Sequence, residues 1–408
     1  MSTMASHTAT DFTWLEWPFL NDAHRRLALE LDAWCQRHLH DLQEKDLYAA
    51  CRELVARLGQ GGWLRYCVTS GEQAEFGGQH PELDSRSLCI IRETLARHGA
   101  LADFVFAMQG LGSGAISLAG SDAQKAAYLP AVAEGRKIAA FALSEPEAGS
   151  DVGALSCSAQ LLADGETYAL NGVKTWISNG GLADFYCVFA RTQADAGSRG
   201  ITAFIVDAQT PGLVIDEVID VMSPHPLASL RFDNCRIHKS QMLGELNQGF
   251  KLAMRTLDIF RCSVAAASIG FARRAMQEGL VHARQRKMFG QTLADFQLTQ
   301  AAFGDMATAI DQSALLTYRA AWVRDVQKRP STGETAMAKM AATESAQQVI
   351  DRALQMFGGK GVVHGHILER LYRDIRSLRI YEGATEVQKL IISRQLMSKD
   401  LAQAYEPL

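Results

Sequence analysis

Residues 167–181, TYALNGVKTWISNGG, mark the place where the chain stops reading as helix. Asn171-Gly172 is a strong hairpin signal, because both residues tolerate the positive φ angles of a tight two-residue turn. FYCVFART, GITAFIVDA and SLRFDNCRI follow as short β-branched or aromatic runs separated by turn residues. Together they predict a small antiparallel β domain between about 140 and 246.

The flanks keep helical periodicity. Upstream, Asn21 is placed to cap a helix whose Leu27, Leu31 and Trp34 share one apolar stripe. SDAQKAAYLP reads as a short capped helix stopped by Pro130. Downstream, Phe303, Met306 and Ile310 keep helical spacing, as do Val349, Ala353 and Met356 ahead of Gly358-Gly359. The 329–333 stretch reads as an inter-helix loop, and no internal repeat is present. The fold class is therefore α+β multidomain. It has an N-terminal α-helical domain (1–139), a middle antiparallel β domain (140–246) and a C-terminal α-helical bundle (247–408).

Size and charge narrow the function classes. A chain of 408 residues exceeds what one core usually serves. A charged fraction of 21% with 48% hydrophobic residues describes a soluble globular protein. The formal net charge of -4 gives no reason to expect a nucleic-acid partner. Eight cysteines without a C-x-x-C pair fit reduced thiols in a cytoplasmic setting, and His38 and His40, two apart, do not form a joint metal site. MSTMASHTATDFTWLEW lacks the features of a targeting signal, and no apolar run is expected to span a membrane.

Four motifs concentrate chemistry. FALSEPEAGSD (141–151) supplies Ser144, Gly149 and Ser150, whose hydroxyls and backbone N–H groups suit carbonyls or phosphates; the same turn is equally a structural one. In KTWISNGG (174–181), strand alternation places Trp176 and Ser178 on one side, either around a flat polar-edged ligand or in the core. RKMFGQTLADFQ joins Arg286 to a Phe289-Gly290 turn and to Gln297, and an arginine fork suits phosphate. RIYEGATEVQ (379–388) sets Glu382 between a tyrosine and a glycine, as a candidate base or as a solvent-facing acid near a helix start.

Taken together, ALSEPEAGSD, KTWISNGG, RKMFG, LQMFGGKG and RIYEGATEVQ resemble the acyl-CoA dehydrogenase family, in that family's order and along essentially the whole chain. The resemblance implies an FAD-dependent oxidoreductase with FAD between the β domain and the C-terminal helices. Phe141, Leu143 and Ser144 would line the flavin, and Trp176 and Ser178 would cover its other side. Arg286, Phe289, Gln297, Gln355 and Gly359 would hold the pyrophosphate and adenine ends of an FAD bound mainly by a neighbouring subunit, in a homotetramer. Glu386 would also touch the cofactor, whereas Ala384 replaces a threonine of many members.

The acyl-CoA substrate would meet Ser150 near its pantetheine and the Asp258/Arg261 pair along the thioester channel. Glu382 would be the base, since the alternative family position holds Phe260. Its side chain would remove the α-proton while its own backbone N–H serves the thioester oxygen, with Gly383 keeping the turn compact. Ala102 and Phe106, in the helix aligned with the acyl pocket, disfavour a dicarboxylyl substrate. Phe104, Phe106, Met108 and Phe260 supply bulk for a short, branched or cyclic acyl group, some of them as core residues. His225 reads as a loop residue rather than a catalyst. An electron-transferring flavoprotein would take the electrons, and no membrane partner is implied. Two further readings share the fold: a flavin oxidase or monooxygenase, and a non-catalytic DNA-associated member.

Overall fold

Asn171 and Gly172 do not form a hairpin. In a computed structural model of the chain, which describes residues 10–40 and 46–398, they lie inside one twelve-residue strand, Thr167–Ser178. The strand register shifts between Leu170 and Gly172, so the pair forms an irregularity in the ladder, and Asn171 Oδ1 accepts from the Asn234 N–H at 2.8 Å. Gly172 is required there by both conformation and space: φ is 138°, and a Cβ would lie 2.7 Å from Cys157 Cα. An Asn-Gly pair carries the same local preference in a turn and in a bulge, and the partner strand decides between them.

In chain order the elements are α1 (Asp22–His38), α2 (Leu47–Gln60), α3 (Ser85–His98), α4 (Ala100–Ala119), α5 (Asp122–Ala133), β1 (Ala139–Ala142), β2 (Ser158–Leu161), β3 (Thr167–Ser178), β4 (Phe185–Arg191), β5 (Ile201–Asp207), β6 (Leu213–Val218), β7 (Leu227–His238), β8 (Met242–Leu243), α6 (Gly249–Gln285), β9 (Lys287–Met288), β10 (Gln291–Thr292), α7 (Gln297–Asp325), α8 (Thr332–Phe357), α9 (Ile367–Leu378) and α10 (Thr385–Met397). This is a helical N-terminal part, a middle β part and a helical C-terminal part. Residues 1–9, which open the stretch read for a targeting signal, lie outside the described residues.

The chain forms two units, each drawn from separate stretches of sequence. The first comprises residues 38–84 and 101–260. Its sheet runs β6-β7-β3-β2-β4-β5-β8, with β1 also paired to β4. The sheet is mostly antiparallel, as expected, with β1 and the start of β2 joined to β4 in parallel. Phe185–Ala190 and Ile201–Val206 are buried without alternation, as strands covered on both faces must be. Ser121 caps α5 in a capping box with Gln124. Pro130 lies inside α5 rather than ending it: near the helix end its missing N–H forfeits one bond, while its carbonyl still accepts from Glu134 N–H at 3.0 Å. By length and composition α4 could cross a membrane, contrary to the expectation, yet 83% of its apolar window is buried inside the protein.

The second unit comprises residues 1–37, 85–100 and 261–408. Asn21 Oδ1 accepts from the N–H groups of Ala23 and His24 and so caps α1 as expected. Glu93 of α3 accepts from Tyr318 Oη of α7 and from Arg273 Nε of α6, each at 2.8 Å, joining three helices through one buried carboxylate. Gly358, at φ 55°, closes α8. All eight cysteines are buried.

Candidate active site

Glu382 sits in the turn between α9 and α10, in the second unit. Its φ is 54° and that of Gly383 is 95°, two left-handed residues in succession. For a non-glycine residue this conformation costs roughly 1–2 kcal/mol and persists only where its surroundings enforce it. Here three side chains do so. Arg261 Nε of α6 donates to the Glu382 carbonyl at 2.8 Å. Gln388 Nε2 of α10 donates to the Gly383 carbonyl at 2.8 Å and reaches the Glu382 carbonyl at 3.3 Å. Lys339 Nζ of α8 donates to the Gly383 carbonyl at 2.8 Å. A side chain at 383 would lie 2.6 Å from Gln388 Nε2, so glycine is needed for room as well as for φ.

Lys339 and Gln388 are both wholly buried, and neither was expected from the sequence. Burial pushes the Lys339 ammonium down to about 8, with the charge of Glu382 pulling the other way. The signal for Lys339 was available: Thr335, Ala338, Lys339, Ala342 and Ala346 follow helical spacing on one buried face. Beside the turn, Glu344 accepts from Arg379 and from the Thr385 hydroxyl, the latter at 2.6 Å. Ala384, where the family pattern has a hydroxyl, stands as N-cap of α10 with no side-chain bond.

The remaining expected residues of this unit are exposed. Arg286 follows α6, and Phe289-Gly290 turns the β9–β10 hairpin with φ 49° and 80°, the left-handed pair that favours such a connection. Phe289 is 87% exposed. Gln297 opens α7, Gln355 lies near the end of α8, Gly359 follows the Gly358 turn, and Glu386 stands in the first turn of α10; all four are exposed. An exposed guanidinium just before the β9–β10 hairpin and a bare aromatic ring at its turn suit a phosphate and a flat ring.

In the first unit, Phe141 lies on β1 with its ring 4.8 Å from that of Phe189. Leu143 and Ser144 follow, tied to β3 by a clamp. Lys174 Nζ donates to the Leu143 carbonyl at 3.0 Å and to Glu145 Oε1 at 2.8 Å, and Thr175 N–H donates to the Ser144 carbonyl at 3.0 Å. Glu145 also accepts from Ser156 N–H and Oγ–H and from Cys157 N–H. Burial alone would raise the Glu145 carboxyl, but Lys174 and these donors hold it below its ordinary value. Trp176 has φ 59° and lies at a second register shift, between Lys174 and Ile177. Simple alternation therefore fails: Lys174, Thr175 and Ile177 are buried, Trp176 is 57% exposed and Ser178 half-buried. Glu145 and Lys174 stand within the quoted motifs, but their role was not read from them.

Ser150 is exposed on the loop after Ser144, and Asp258 is half-buried on α6. Ala102 and Phe106 of α4 are buried. Phe260 is 1% exposed and packs on two glycines of α4; a Cβ at Gly110 would lie 2.5 Å from its ring and one at Gly114 3.0 Å. The ring of Phe104 lies 4.6 Å from His225. His225 Nδ1–H donates to the Ser223 carbonyl at 2.8 Å and burial lowers its pKa, as suits a neutral loop residue.

The chain matches family models for the acyl-CoA dehydrogenase N-terminal domain over residues 21–136, the middle domain over 140–235 and the C-terminal domain over 247–397. It is 38% identical over 370 residues to the human mitochondrial short-chain specific acyl-CoA dehydrogenase, covering 88% of each chain. It is 38% identical to the caffeyl-CoA reductase-Etf complex subunit CarC of Acetobacterium woodii, over 78% of this chain and 83% of that one. The structure of butyryl-CoA dehydrogenase from Megasphaera elsdenii superposes with a TM-score of 0.85 at 32% identity, covering 93% of this chain and 99% of that one. These relatives define a class of flavin-dependent oxidoreductases. The chain belongs to the acyl-CoA dehydrogenase family, and its cofactor is FAD. The residue chemistry fits such a group: the Ser144 and Ser178 hydroxyls suit the polar edge of a flavin, the exposed indole of Trp176 a flat face, and the exposed Arg286 a pyrophosphate.

Proposed function

We propose that the protein removes the α-proton and a β-hydride from an acyl-CoA thioester to give the 2-enoyl-CoA, with Glu382 as the base. The observation that supports this most is the left-handed Glu382–Gly383 turn, whose two carbonyls are gripped from α6, α8 and α10. Such a turn fixes the carboxylate relative to its own backbone, as a base and an oxyanion donor drawn from one residue require. FAD, when bound, supplies the hydride acceptor. Phe141, Leu143, Ser144, Trp176 and Ser178 hold its ring system. Arg286, Phe289, Gln297, Gln355 and Gly359, together with Glu386, serve its remaining parts, the first five across a subunit boundary. Ser150, Asp258, Arg261 and Gly383 border the thioester.

The acyl group is short, branched or cyclic, a reading supported by the relatives named above as a short-chain specific acyl-CoA dehydrogenase and a caffeyl-CoA reductase subunit; Phe106 and Phe260 are core residues of α4 and α6. The working assembly is a cytoplasmic homotetramer with domains 1–139, 140–246 and 247–408, and an electron-transferring flavoprotein is its acceptor. One relative is itself named as a subunit of a complex with such a protein.

Anaerobic titration of the yellow protein with short, branched, cyclic, aryl and long acyl-CoAs tests this reading. Bleaching by a short or cyclic thioester, sluggish recovery in air and fast turnover with an electron-transferring flavoprotein or dye are the expected results. Rapid stoichiometric hydrogen peroxide without an acceptor would make the protein an oxidase, and no bleaching by any thioester would refute catalysis. Arg286→Ala is expected to weaken FAD binding by about 2 kcal/mol, roughly 30-fold, through loss of a charge-assisted phosphate contact. Full flavin occupancy of the variant after dilution and gel filtration would show that Arg286 is not a cofactor ligand.

A further inference from the structure

Lys339 is a lysine with no exposed surface, on a buried face of α8 whose other residues are alanines, threonines, Val349 and Ile350. A buried ammonium is costly unless another charge and a hydrogen-bond acceptor compensate it. The acceptor is the Gly383 carbonyl, 2.8 Å away, next to the carboxylate-bearing residue. Four charged groups act on it: Glu382 and Glu344 favour its charge, and Arg261 and Arg379 oppose it. Arg379 and Glu344 pair with each other at 2.8 Å. Of the two acids, Glu344 is engaged by Arg379, and Glu382 acts more strongly on Lys339.

On the reading of Glu382 as the base, we propose that Lys339 is a positioning residue for it. The ammonium fixes the Glu382–Gly383 turn through the Gly383 carbonyl and supplies the buried positive charge against which the Glu382 carboxylate stays ionised. The two parts act on different observables. A neutral side chain at 339 removes the charge, so Glu382 takes up a proton at higher pH; a side chain that still donates to Gly383 keeps the turn. A spacer with no electrostatic part would change rate or stability without moving any titration.

The test compares the wild-type flavoprotein with Lys339→Met, Lys339→Gln and Glu382→Gln, using the pH dependence of stopped-flow flavin reduction by a reactive acyl-CoA. Flavin content and thermal unfolding are measured alongside. Lys339→Met is expected to raise the midpoint of the acid limb by about one unit and to lower the plateau rate roughly tenfold, since the turn loses one of three donors. Lys339→Gln should show the same midpoint shift with a plateau nearer wild type, and it answers the question if the methionine variant does not fold. An unmoved midpoint in a folded, flavin-loaded variant at 339, with Glu382→Gln inactive, would overturn the inference while leaving the base in place. Retained reduction in Glu382→Gln would instead overturn the base itself, and the role of Lys339 with it.

Discussion

Exchanging Glu382 for glutamine is expected to slow acyl-CoA-driven flavin reduction by roughly 10²–10⁴-fold, the range that removal of a positioned general base commands. FAD content and acyl-CoA binding should stay close to wild type. The basis for that separation is structural: Arg261, Lys339 and Gln388 hold the turn through the carbonyls of residues 382 and 383, not through the carboxylate. Glutamine is nearly isosteric and leaves those carbonyls in place. The variant loses a proton acceptor and keeps its scaffold, so kcat should fall with little change in substrate affinity. Stopped-flow reduction within tenfold of the wild-type rate would assign the proton to another group.

The order of helices, sheet and helices was legible because each part repeats its own period over many residues. Asn21 as a cap and Gly358 as a helix end were legible for the same reason, since their signals are local. The failures share another cause. Asn171-Gly172 became an irregularity inside a strand, and Pro130 stayed inside a helix, because pairing with β7 and packing of α5 override what a dipeptide or a single proline prefers. The Glu-Gly turn stood out in sequence, but its grip did not. Arg261 is 121 residues from Glu382, and Lys339 is 44 from Gly383. Lysine is by default a surface residue, so Lys174 and Lys339 speak only through the face on which each lies, marked for Lys339 by the small residues at helical spacing around it. Trp176 was found as a residue and misjudged as geometry, because its positive φ breaks the alternation from which its direction was inferred.

Replacing Lys174 by methionine is expected to destabilise the protein by about 3–5 kcal/mol, the cost of leaving one partner of a buried ion pair behind. Lys174 has no exposed surface and Glu145 is 3% exposed, so water cannot take over the lost partner. Ser156 and Cys157 would still donate to the carboxylate, but no cation would balance it, and the Leu143 carbonyl would lose its bond. In the wild type, the depressed Glu145 pKa means that its ionised carboxylate contributes stability above the ordinary carboxyl value of 4.5, lost as pH falls through the folded value. In the variant the unpaired carboxyl is best tolerated protonated, so the difference between the two proteins should be largest near neutrality and shrink as pH approaches 4.5. Glu145→Gln combined with Lys174→Met should recover part of the loss, because the buried charge is then gone from both sides. Flavin retention should fall in the single variant, since Lys174 also fixes the backbone beside Ser144. Urea unfolding at pH 7 and pH 5, with flavin fluorescence followed in parallel, measures all three effects. A loss below about 1 kcal/mol that does not vary with pH would mean that the pair is solvated in solution and that the wall beside Ser144 is held by the strands alone.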